Sequence, residues 1–116
     1  MAHRRGTHIV HDIEYRIVFC TKYRDRVLYS NISERCIKVI KEVCSANYVD
    51  IISGNISPDQ IHMLISVPPH FSVSKIVQYI KGKSSRKLQG EFQELRKRYW
   101  GQHLWARGIL WQHQDK

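Results

Sequence analysis

The spacing of apolar residues switches between a two-residue and a helical repeat in a fixed succession along this chain, and no other feature limits its possible folds as much. From Ile13 to Thr21, Tyr15, Ile17 and Phe19 fall on one side and Arg16, Val18 and Cys20 on the other, the alternation of a half-buried strand. Asn31 with Glu34 three residues on reads as a helix start, and Ile32, Cys36, Val39, Ile40 and Val43 recur at helical spacing, which predicts a helix over 32–46. Residues 49–53 and 61–67 read as two antiparallel strands separated by a turn-rich stretch at 54–60 and closed by Pro68 and Pro69. Ser72 then caps a second helix whose apolar positions are Val73, Ile76, Val77 and Ile80 and which continues to Leu88. Residues 91–99 extend the helical pattern, and 104–111 read as a last strand. The order is β-α-β-β-α-β. It predicts an α+β, ferredoxin-like domain over 13–116, after an extension at 1–12, with both helices on one face of an antiparallel sheet.

A chain of 116 residues, 42% of them apolar, has room for one domain and one core. Its 19 Lys and Arg against 10 Asp and Glu give a net charge of +9, which favours a polyanionic partner. Charge alone leaves three classes open: nucleic acid, an anionic membrane surface, and a solvated basic face with no partner. No apolar run approaches the ~20 residues that span a bilayer. The basic start of the chain leads into Thr7, His8 and Ile9 and not into an apolar signal core, so the expected location is the cytoplasm and no membrane partner is expected. Cys20, Cys36 and Cys44 form an odd set with no C-x-x-C pair, as reduced thiols of a core would. In that compartment the two Asn-Ile-Ser triplets, at Asn31 and Asn55, match a glycosylation pattern by chance.

Chemistry enters at the strand Ile61 to Val67. Its more apolar face, Ile61, Met63, Ile65 and Val67, should lie under the helices, which leaves Gln60 and His62 together on the open face, about 7 Å apart along the strand. Two such donors can hold a metal between them, with Asp59 as a supporting carboxylate; the plainer alternative is a half-exposed histidine with no task. Gly82-Lys83-Ser84 has the look of a phosphate loop, but the earlier glycine would have to stand at Val77, and the segment continues a helix. It is better read as a basic helix face. Between 75 and 107, nine cations against Glu91 and Glu94 leave +7. Tyr79, Tyr99, Trp100 and Trp105 are interleaved with them, a combination suited to single-stranded or hairpin nucleic acid. Alternatively the tryptophans are core and the charges are solvated.

Four segments in register, at 15–24, 57–69, 72–86 and 94–108, together resemble the small HUH-type single-tyrosine transposases of bacterial insertion sequences. The resemblance covers roughly residues 13 to 108. It implies a dimeric enzyme that recognises hairpin DNA at the ends of a mobile element and cuts and rejoins single-stranded DNA through a tyrosine nucleophile. It also implies a divalent ion, Mg²⁺ or Mn²⁺, at the histidine pair, which polarises the scissile phosphate. The family's His-apolar-His motif aligns with Gln60-Ile61-His62, so His62 and Gln60 are the implied metal ligands and a neutral amide stands for one imidazole. Lys22, Arg24, Lys75, Lys81, Lys83, Arg86, Lys87 and Arg107 are the candidate DNA-binding cations. After Gly108 the chain reads Ile109-Leu110-Trp111-Gln112-His113-Gln114-Asp115-Lys116, without the family's tyrosine helix, and none of its six tyrosines falls at the nucleophile position. The expectation is a C-terminally truncated copy that binds DNA and does not cleave alone, with Trp111 in an apolar patch left open. Two other classes remain: a non-catalytic regulator that binds hairpin nucleic acid on the same fold, and an interaction module for an acidic protein.

Overall fold

A computed structural model of the protein describes residues 12–108 and, as backbone, 110–114. Strand β1 (Ile13–Cys20) is followed by a single 3₁₀ turn (Lys22–Arg24) and helix α1 (Ser30–Ala46). Strands β2 (Asp50–Ser57) and β3 (Gln60–Val67) form a hairpin, and helices α2 (Val73–Glu91) and α3 (Gln93–Tyr99) lead to strand β4 (Leu110–Gln114). The sheet order is β2-β3-β1-β4, with every neighbouring pair antiparallel. That is the ferredoxin-like arrangement the periodicity predicts.

The core fills the space between one face of the sheet and the two long helices. Ile17 and Phe19 of β1 and Ile61, Met63, Ile65 and Val67 of β3 are all buried there against Cys36, Val39 and Ile40 of α1 and Ile76, Val77 and Ile80 of α2. Alternation therefore places both strands the right way up. Burial pushes the thiols of Cys36 and Cys44 up to about 12, so both act as small apolar groups of the helix layer.

Three local expectations give way to tertiary contacts, and a fourth holds. Helix α1 starts at Ser30, after Tyr29, whose side chain makes no cap hydrogen bond, so the Asn31–Glu34 signal is not what begins it. Strand β2 runs through the stretch expected to turn, because Gly54 to Ser57 pair with Gln60 to Met63 and leave Pro58 and Asp59 alone as the turn. The last strand lies at 110–114, so it shares only 110–111 with the strand expected at 104–111, and residues 104–108 instead carry one bridge, Thr21 to Trp105. Ser72 does cap α2: its Oγ accepts from Lys75 N at 3.3 Å. Residues 1–11 of the extension expected at 1–12, and the side chain of Trp111, lie outside the described residues.

Candidate nucleic-acid interface

Strand register decides what surrounds the candidate ligands. Gln60 and His62 leave β3 on the face opposite the helices, and both are half-buried. His62 lies between Val18 of β1 and Asn55 of β2, and Gln60 between Cys20 and Ser57. The Cys20 thiol faces Gln60 Oε1 at 3.7 Å. Residue type assigns Asn55 and Ser57 to a turn, so no sequence signal brings them to this face; only the cross-strand register does.

Asp59 does not support the pair. Its carboxylate accepts from Arg24 Nε at 3.1 Å and pairs with Nη2 at the same distance. Among the described residues, no three His, Cys, Asp or Glu side chains converge on a possible ion. Among the described residues, the set at the implied metal position is thus one imidazole and one carboxamide oxygen, with no carboxylate, and that oxygen already faces a thiol. Mg²⁺ and Mn²⁺ are held by carboxylates and substrate phosphates and seldom by neutral donors alone. These residues do not fit a resident ion. Titration of the protein with Mn²⁺ without DNA should give no saturable binding below about 1 mM. A micromolar dissociation constant would reveal a donor this geometry lacks.

The cations divide between two surfaces. Lys22, Lys81 and Arg107 line a cleft of about 440 Å³ between α2 and residues 102–107, with His103 and Gln102 in the same wall. Lys81 Nζ donates to the carbonyls of Ala106 and Gly108, both at 2.9 Å, and so ties that segment to the helix. Its pKa is lowered, chiefly by desolvation and further by neighbouring Lys22. His103 is lowered too, first by desolvation and then by Lys81. Its Nδ1 accepts from Trp105 N at 3.2 Å, so the neutral ring carries its proton on Nε2. Sequence reasoning misses His103, since a histidine in an irregular segment has no periodicity to expose it.

Lys83 and Arg86 turn the other way, into a groove of about 710 Å³ between α1 and α2 that also holds Tyr79 and Glu42. Lys75 and Lys87 are exposed on the same helix. This layer covers the face of the sheet opposite His62. Arg24, the remaining candidate, is exposed and paired with Asp59.

The aromatic residues sort equally sharply. Trp105 is buried, packs edge-on against Phe19 at 4.8 Å between centroids, and donates from Nε1 to Ser84 Oγ at 2.9 Å. Tyr99 is buried as well, and its pKa is raised by desolvation and by neighbouring Asp25. Neither can stack on a base. Tyr79, at 48% exposure, and Trp100, at 79%, can. The serines of the Gly-Lys-Ser-Ser stretch belong to the fold: Ser84 holds the indole, and Ser85 Oγ accepts from Leu104 N at 3.0 Å.

The backbone joins the cleft to the donor pair. Ala106 N donates to the carbonyl of Cys20 at 2.9 Å, and the Cys20 side chain is the one that meets Gln60. A cationic cleft and a polar sheet face therefore share one end of β1.

The fold and sequence have relatives among known proteins. The family model described as Transposase IS200 like matches residues 9–113. The ISDra2 transposase TnpA of Deinococcus radiodurans is 28% identical over 102 residues, which cover 88% of this chain and 73% of that protein. The transposase for insertion sequence element IS200 of Salmonella typhimurium is 36% identical over 95 residues, 82% of this chain; the chain spans 62% of that relative's length. Among solved structures, a candidate transposase of Deinococcus radiodurans superposes with a TM-score of 0.83 at 25% identity, over 100% of this chain and 88% of the other. A REP-associated tyrosine transposase bound to a REP hairpin shares the fold, with a TM-score of 0.67 at 14% identity over 100% and 64% of the two chains. Since the family match runs almost from end to end over a fold that superposes in full, the chain belongs to the IS200-like transposases.

Proposed function

We propose that this chain serves DNA transposition by binding hairpin and single-stranded DNA at the ends of an insertion sequence, with His62 and Gln60 facing the phosphate at which strands exchange. The observation that carries this reading is the junction at Cys20, where a cleft lined by Lys22, Lys81 and Arg107 meets a sheet face that presents an imidazole and a carboxamide. Cations neutralise phosphates, while the imidazole and the amide can donate hydrogen bonds to non-bridging phosphate oxygens. Lys75, Lys83, Arg86 and Lys87 add phosphate contacts on the helix layer. The hairpin is taken from the fold neighbour solved with one. The implied homodimer belongs to the same proposal and would sediment at twice the 13.8 kDa of the chain. Among the described residues no helix is long and apolar enough to cross a membrane.

A second reading, hairpin binding without strand cleavage, draws support from the donor pair at 60 and 62, on which no group of three His, Cys, Asp or Glu side chains converges among the described residues. One experiment separates the two. End-labelled hairpins from the DNA flanking the gene are incubated with the protein and Mn²⁺, then resolved under native and denaturing conditions. The expected result is salt-sensitive retention on the native gel. A labelled adduct that survives denaturation assigns strand transfer to this chain; retention without an adduct assigns binding alone. No retention at about 50 mM salt, where phosphate contacts are strongest, would sink both readings.

A further inference from the structure

The 3₁₀ turn after β1 is the most constrained piece of backbone at the cleft. Tyr23 and Arg24 are consecutive non-glycine residues in the left-handed region, at φ of 63° and 55°. Such a conformation persists only where its surroundings enforce it, and it gathers at ligand clamps. Here the enforcement is visible. Arg24 N donates to the Thr21 carbonyl at 3.0 Å, Thr21 Oγ1 donates to the Asp25 carbonyl at 2.6 Å, and the Arg24 guanidinium is held by Asp59. Thr21 itself is buried and receives the bridge from Trp105.

The effect of this bracing is to hold one aromatic ring out in solvent. Tyr23 is 72% exposed. Its hydroxyl lies 3.1 Å from Gln102 Oε1, and Lys22 Nζ stands 6.0 Å from its ring centroid; Gln102 and Lys22 both line the cleft. The ring therefore sits at the cleft mouth. Behind it are the cations Lys22, Lys81 and Arg107 and, in His103, an imidazole whose Nδ1 is occupied and whose Nε2–H is left to donate. An aromatic plane one residue from a cationic concavity matches a nucleotide unit, whose base stacks while its phosphate is neutralised.

We infer that the cleft is a subsite for one unpaired nucleotide, with its phosphate between Lys22, Lys81, Arg107 and His103 and its base stacked on Tyr23. The inference rests on the DNA-binding reading and deepens it: the occupant is single-stranded and flanks the hairpin, since a base inside a duplex offers no free face. Tyr23 is thus a binding residue selective for unpaired DNA. Neither the family resemblance nor the cation pattern singles it out.

The test compares two DNA probes, one hairpin with a blunt stem and the same hairpin carrying an unpaired extension with 2-aminopurine in it. Affinity is read by anisotropy and stacking by quenching of the 2-aminopurine. For the wild type, the extension should tighten binding by about tenfold, the range one stacked base supplies. Tyr23→Leu, which keeps bulk and removes the ring, should abolish that gain and the quenching. Tyr23→Phe should retain both. His103→Ala should reduce the gain and leave the quenching in place. An extension that adds nothing in the wild type, or a gain that survives Tyr23→Leu, overturns the subsite while hairpin binding stands. If the wild type binds neither probe, the DNA-binding reading fails and this one with it.

Discussion

Replacing Trp105 with alanine should cost about 3–5 kcal/mol of folding stability, the range for truncating a fully buried aromatic residue. In a domain of this size that lowers the melting temperature by roughly 15 °C or more, measurable by circular dichroism. The magnitude follows from position. Trp105 is 1% exposed, meets Phe19 edge-on, donates its indole N–H to buried Ser84, and bridges Thr21. Removing it leaves a cavity between β1 and α2 and frees the segment that carries His103 and Arg107. Ser84→Ala should cost less, about 1–3 kcal/mol, because it leaves the buried indole N–H without an acceptor. The double variant should lose less than the sum, since both single changes break one bond. A Trp105→Ala loss below about 1 kcal/mol would mean that residues 104–106 are not docked as described.

Removing Lys22 and Arg107 together should weaken binding of a hairpin that carries an unpaired extension by about fiftyfold at 0.1 M salt and lower the log–log salt slope by about 2, one for each phosphate that is no longer neutralised. The measurement is a set of anisotropy titrations at several salt concentrations. The same pair of alanine changes at Lys83 and Arg86 addresses the helix layer independently, because these residues line a different groove. Both double variants should show the lowered slope if DNA touches both surfaces. An unchanged slope for one pair confines the nucleic acid to the other. Unchanged slopes for both would mean that the basic excess is a solvated face and that the DNA-binding reading is wrong.

Much of this architecture is legible in residue spacing. Strict alternation in Ile61 to Val67 says which side chains share a face, because successive Cβ atoms in a strand point to opposite sides. That local geometry puts Met63 in the core and His62 outside it whatever the partner strands are. Ser72 is equally readable, since a cap bonds only three residues away. Illegible features depend on contacts distant in the chain. Gly54 and Asn55 favour a turn by themselves, yet pairing with β3 draws them into a strand. The Gly-Lys-Ser serines look like phosphate ligands in sequence, and their partners include Leu104 and Trp105, 19 and 21 residues away.

Local period and summed charge were enough to establish the order of strands and helices, the inward and outward faces of β1 and β3, and the cationic character of the surface. Three-dimensional packing was needed to settle which cations stand together, which aromatic rings remain exposed, and that Asp59 serves Arg24 and not Gln60. Those outcomes follow from sheet register and from the docking of residues 104–106 against β1 and α2. Both arise between segments that a linear pattern cannot place beside one another.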